Sequence, residues 1–185
     1  MPKAIVAYVR WVDAVNRVVG RFAMYLIFAM TGILLYSSIT KTFFIPALWT
    51  LEMAQFTMVA YYLLGGGYSM QLDSHVRMDL LYSRWSAKTR TAVDLVTIAF
   101  LIFYLVFLLY GGFSSTHYAL KYGENSYSAW APPMAPIKIT MCVGIALMLL
   151  QAVAVFFKDL AKATGRPIDP GETHEKERID GETAA

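Results

Sequence analysis

Four stretches of this chain contain no Asp, Glu, Lys or Arg: Phe22–Thr40, Met53–Leu72, Leu95–Leu120 and Ile139–Phe157. They are 19, 20, 26 and 19 residues long. At about 1.5 Å per residue, a helix of about 20 residues reaches about 30 Å, the thickness of a bilayer's hydrocarbon core. Lipid offers backbone N–H and C=O groups no partners, so a crossing run must close its hydrogen bonds internally, as a helix. The sequence therefore predicts an all-α membrane protein with four transmembrane helices, at about 22–40, 53–72, 95–117 and 139–157. Composition agrees. Of 185 residues, 57% are hydrophobic and 16% charged, and the apolar ones are bunched rather than periodic.

The flanks divide the chain into three parts. Residues 1–21 form an amphipathic segment, with Arg10, Asp13, Arg17 and Arg21 on one helical face and Tyr8, Val12, Val15, Val19 and Phe22 on the other. That pattern suits a short interfacial helix on the membrane surface; the alternative is a straight extension of the first crossing. No small-x-small cleavage site follows the first apolar run at Tyr36–Lys41, so a cleaved leader is not expected. Residues 22–158 hold the crossings, and 159–185 form a polar tail rich in Pro, Gly and mixed charge.

Orientation follows from the basic residues. With both termini inside, the cytoplasmic segments hold thirteen of the sixteen Lys and Arg, leaving only Lys41, Lys121 and Lys138 outside. The expectation is N-in, C-in. The four tryptophans fit two belts, Trp11 and Trp85 at inner boundaries and Trp49 and Trp130 at outer ones. The link after the second crossing carries Arg77, Arg84 and Lys88 on one helical face, which predicts a second short interfacial helix. The last link contains Pro132, Pro133 and Pro136, which forbid a continuous helix there and favour a stiff connection.

What is missing from the crossings bounds the function. No ionisable carboxylate, ammonium or guanidinium lies near the middle of any of them, whereas ion-coupled carriers usually keep such a group there. Sodium sites built from backbone carbonyls escape this argument. A haem anchor for a redox enzyme is the rival reading, but His75 and His117 lie at opposite mouths and cannot ligate one iron. The single cysteine, Cys142, permits neither an internal disulfide nor a cysteine-rich metal site. The chain is expected to be no enzyme and to bind no cofactor or metal of its own.

The candidate contact residues sit at the mouths. Glu52 opens the second crossing, where a helix N-terminus favours an acid. The cluster Asp73-Ser74-His75-Val76-Arg77-Met78-Asp79 closes it, with His75–Asp79 and Asp73–Arg77 at i,i+4 spacing. Each has a structural reading (dipole, turn, lipid anchor) and a contact reading. Lys138 stands near the start of the fourth helix, where the dipole disfavours a cation, so it either snorkels to headgroups or meets a partner acid. Small-residue pairs, Gly65 with Ser69, Gly111 with Ser115 and Gly112 with Thr116, allow close helix approach within or between chains.

In these residues the chain resembles the small membrane subunit of tripartite ATP-independent periplasmic (TRAP) transporters, the DctQ family. The likeness covers roughly Arg21 to Lys158. It rests on the four crossings, Glu52, the Gly65-Gly66-Gly67 run, His75-Val76-Arg77-Met78-Asp79, Trp130-Ala131-Pro132-Pro133 with Lys138, and Gln151. The resemblance implies a scaffold subunit in a bacterial inner membrane. Its partners would be a large elevator-type membrane subunit, which carries the substrate and Na⁺ sites, and a periplasmic protein that captures an organic acid anion. Glu52, His75, Arg77, Asp79, Arg84, Trp130 and Lys138 would then contact partner chains or phospholipid, and none would be catalytic.

Overall fold

A computed structural model describes residues 3–72 and 87–163 as four α-helices with no named strand among them. These are α1 (Lys3–Phe43), α2 (Thr50–Gln71), α3 (Ala87–Tyr122) and α4 (Ala135–Ala163). The expected interfacial helix after the second crossing, and the tail from residue 164, lie outside the described residues.

The helices run up and down, and α4 is the hub. It packs against α1, α2 and α3, while α1 also packs along α2. One apolar core joins Met70 of α2, Leu105 of α3, and Ile145 and Ala152 of α4. A second joins Val9 and Val12 of α1 to Ala154 of α4.

Three helices, α1, α3 and α4, are long and apolar enough to cross a membrane. The 22 residues of α2 are also long enough, but Gln55, Tyr61, Tyr62, Tyr68 and the three glycines lower its hydropathy. It packs against α1 and α4, which buries Gly67 and half-buries Tyr61 and Tyr68, while Gln55 and Tyr62 stay exposed.

The glycines of α2 set how closely it is held. A Cβ on Gly66 would stand 2.7 Å from Met148 Sδ of α4, and one on Gly67 would collide with the Asn16 amide of α1. From the other side, a Cβ on Gly144 of α4 would meet Leu63 Cβ at 2.7 Å and the Leu63 carbonyl carbon at 2.9 Å. Two threonine hydroxyls within the bundle return to their own helix. Thr57 bonds the Met53 carbonyl and Thr116 the Gly112 carbonyl, so neither is left unsatisfied in an apolar setting.

The N-terminal segment departs from the surface-helix expectation. It is the first part of a single continuous helix of 41 residues. Nothing in 3–21 breaks a helix, and Tyr8 and Val12 of the apolar stripe expected to face lipid headgroups are covered by α4 instead, packed with Ile5 and Val9 on Leu150, Ala154 and Phe157, while Phe22 is exposed. Asp13, expected on the exposed charged face, is buried for the same reason. Pro136 is a smaller correction: it sits in the first turn of α4, where its missing N–H would have no helical partner in any case.

Replacing Gly144 by Ala should destabilise the purified chain by about 1–3 kcal/mol, because a backbone atom must move to admit the methyl group. Replacing Gly111 by Ala, which meets nothing within 4 Å, should leave the unfolding midpoint in detergent unchanged. Equal midpoints for the two variants would contradict the packing described.

Candidate functional site

Two polar clusters tie the bundle together, one at each end. The first lies where the N-terminal half of α1 meets the C-terminal half of α4. A glutamine alone in the apolar run of α4 needs partners, and Gln151, with no exposed surface, has two. Its Nε2 donates to Asp13 Oδ1 at 2.9 Å, and its Oε1 accepts from Asn16 Nδ2 at 2.9 Å. Lys158 Nζ lies 2.8 Å from Asp13 Oδ2, with both side chains 12% exposed. Tyr8 adds a hydroxyl bond to the Leu150 carbonyl at 3.2 Å. The result is a chain of bonds, Asn16–Gln151–Asp13–Lys158, that fixes the register of α1 on α4.

Asn16 brings α2 into the same arrangement. Its Nδ2 also reaches the Val12 carbonyl, but its buried Oδ1 has no N–H or O–H partner. That oxygen points where Gly67 would carry a Cβ, so the Gly67 Cα–H faces it. Such weak C–H···O contacts recur where helices approach closely. Asn16 therefore touches both neighbours of α1 at one level.

The second cluster gathers at the other end, around the connection 123–134 between α3 and α4. That connection folds back on itself. Asn125 bridges Pro133, Ser126 N–H donates to the Pro132 carbonyl, and Met134 N–H donates to the Glu124 carbonyl. Gly123 and Ala131 take positive φ, 60° and 46°. Ala131 is held in that conformation by bonds from its N–H to Ser128. Two helices grip the loop. Lys138 of α4 ion-pairs with Glu124, and Glu52 of α2 accepts a hydrogen bond from the Ser126 hydroxyl at 3.2 Å. The other Glu52 carboxylate oxygen is buried without a hydrogen-bond partner. Beside it, Thr50 donates to Ser37 Oγ at 2.9 Å, and Trp49 stacks on Tyr36 at 5.8 Å between ring centroids, which ties the start of α2 to α1.

The structure thus brings together three of the residues singled out from sequence. Glu52, Trp130 and Lys138 all border the 123–134 connection, with Trp130 41% exposed at its tip and Tyr127 fully exposed. Lys138 has its counter-ion within the chain, in Glu124. His75, Arg77, Asp79 and Arg84 lie outside the described residues. His117 is exposed on α3. Of the small-residue pairs, Gly112 with Thr116 faces α4, where Thr116 Oγ1 meets Cys142 Sγ at 3.2 Å, whereas Gly111 faces open space.

Sequence reasoning missed the role of Asp13, Asn16 and Lys158. One signal was available. Asp13 and Asn16 are i,i+3 on a helix, and a lone amide at Gln151 inside a charge-free run has to be matched by polar groups elsewhere.

Against known families, residues 30–162 match the family model described as "Tripartite ATP-independent periplasmic transporters, DctQ component". No curated protein matches the chain. The matched region takes in Gln151 and the whole 123–134 connection, but begins C-terminal to Asp13 and Asn16.

Lys158→Met removes the counter-charge of a carboxylate that is almost out of water, and should cost about 3–5 kcal/mol. Adding Asp13→Asn should recover most of that loss, because Gln151 can still donate to the amide oxygen. A double-mutant cycle read by thermal unfolding of the purified chain checks both. Additive losses would show that the pair does not act as a unit.

Proposed function

Since the chain belongs to the DctQ component family of tripartite ATP-independent periplasmic transporters, we propose that it is the non-catalytic small membrane subunit of a sodium-driven importer of an organic acid anion. On this reading it crosses a bacterial inner membrane four times, with both termini in the cytoplasm. It pairs with a large elevator-type subunit that holds the substrate and Na⁺ sites, and it works with a periplasmic substrate-binding protein.

One observation carries the scaffold role. Two ion pairs that the bundle takes largely out of water are closed within it, Asp13 with Lys158 and Glu124 with Lys138, while Glu52 accepts from the Ser126 hydroxyl. Paired in this way they hold helices in register; they are poorly placed to bind and release a passing ion. An elevator needs a fixed wall for its mobile part to slide against, and a rigid bundle with apolar outer faces is suited to that task. The fourth crossing is α2. Packing against α1 and α4 buries Gly67 and half-buries Gly65, Gly66, Tyr61 and Tyr68, so a lower hydropathy is compatible with spanning, while Gln55 and Tyr62 stay exposed. The N-in orientation draws on the basic-residue bias, and it puts the 123–134 connection on the periplasmic side, where the binding protein would approach Tyr127 and Trp130.

The test is co-purification from native membranes through an affinity tag on this chain. A much larger many-helix membrane protein is expected in roughly equal amount. Cells lacking residues 22–158 should lose sodium-dependent uptake of the substrate. Unchanged uptake in such cells, or recovery of this chain alone, would remove the proposal.

A further inference from the structure

The packing register places one cation, Arg21, deeper than the sequence suggests. Gly20 of α1 abuts Tyr68 of α2, and Ala23 comes nearest Gly65. Arg21 is therefore level with Gly65–Tyr68. Tyr68 lies four residues inside the end of α2's uncharged run, which is about 6 Å. Arg17 stands one helical turn before Arg21, about 6 Å nearer the end where that run stops. Both arginines are exposed on the outer face of α1. Among the described residues no carboxylate pairs with either.

A guanidinium on the lipid-facing side, about 6 Å inside the apolar run of its neighbour as Arg21 is, is costly unless it reaches an anion. The two are also i,i+4 neighbours, so they repel each other until something negative bridges them. We propose that Arg17 and Arg21 form a binding site for the phosphodiester of a phospholipid, an anionic one by preference, drawn toward the bundle from the headgroup layer. Long side chains can bend back toward that layer, and planar guanidinium forks match phosphate oxygens. Beyond Arg21 the same face of α1 continues with Met24, Tyr25 and Phe28, exposed by 51%, 69% and 73%. That surface offers acyl chains an apolar path and offers an acidic partner helix no further polar group. Arg10 is on the same face but about 10 Å further from the membrane than Arg17, and it takes no part in the site. The site depends on α1 and its neighbours spanning a bilayer, and is independent of the transporter assignment.

Native mass spectrometry of the purified full chain, in mixed micelles containing phosphatidylglycerol or phosphatidylcholine, tests this. Two cations near a membrane surface should give about a tenfold preference for the anionic lipid. Arg17→Gln with Arg21→Gln should abolish that preference, and Arg10→Gln should leave it intact. A second readout needs no substitution. Modification of arginines by phenylglyoxal should be slowed at Arg17 and Arg21, but not at Arg10, when phosphatidylglycerol replaces phosphatidylcholine. Equal binding of both lipids by the unsubstituted chain, or equal modification of the arginines in both, would overturn the site. So would protection that arises only when an acid-bearing membrane protein is bound.

Discussion

The confinement of α2 between α1 and α4 is the constraint on which the rest of the structure depends. Gly66 and Gly67 remove side chains on two sides of α2, toward Met148 and Asn16, and Gly144 removes one from the facing surface of α4. Close approach of this kind substitutes dispersion contacts for a hydrophobic drive that lipid does not supply. It also covers the α2 backbone at its glycines, Gly67 fully and Gly65 and Gly66 in part, while Gln55 and Tyr62 stay exposed. A larger residue at any of these points would separate α1 from α4 as well, since both lean on the same narrow helix.

With the helices brought that close, a few polar groups suffice to fix their register. Asn16 stands where three helices meet, bonded to α4 and pressed against Gly67 of α2. Asp13 and Lys158 close the chain of bonds at one end, and Glu124, Lys138, Glu52 and Ser126 close it at the other. A buried ion pair is weak evidence of net stability, because desolvation opposes its attraction. Its use here is in specifying one register of sliding surfaces that are otherwise uniformly apolar. For a subunit proposed to be the stationary wall of a moving machine, a single register is the property that matters.

Much of this was legible in the sequence, for identifiable reasons. The four uncharged runs marked the helices, because length and the exclusion of charge are severe requirements. The places of Glu52 and Lys138 at helix starts were legible. Their partners were not, because Ser126 and Glu124 are reached through a loop whose fold depends on the Asn125–Pro133 bridge. The N-terminal segment misled for a different reason. An apolar stripe looks the same whether lipid or another helix covers it, and only the packing on Leu150, Ala154 and Phe157 distinguishes them. Asp13 was misplaced with it, since helical periodicity put Asp13 beside Arg10 and Arg17 while its carboxylate turns to Lys158 and Gln151.

On the proposed reading, a bundle whose ion pairs are closed within it supports transport rather than driving it. Reconstitution into sealed vesicles with an imposed sodium gradient puts that claim to its most direct trial. This chain alone should accumulate no organic acid anion, while the chain combined with its large membrane partner and the loaded binding protein should do so. Sodium-dependent accumulation by this polypeptide in pure lipid would contradict the account.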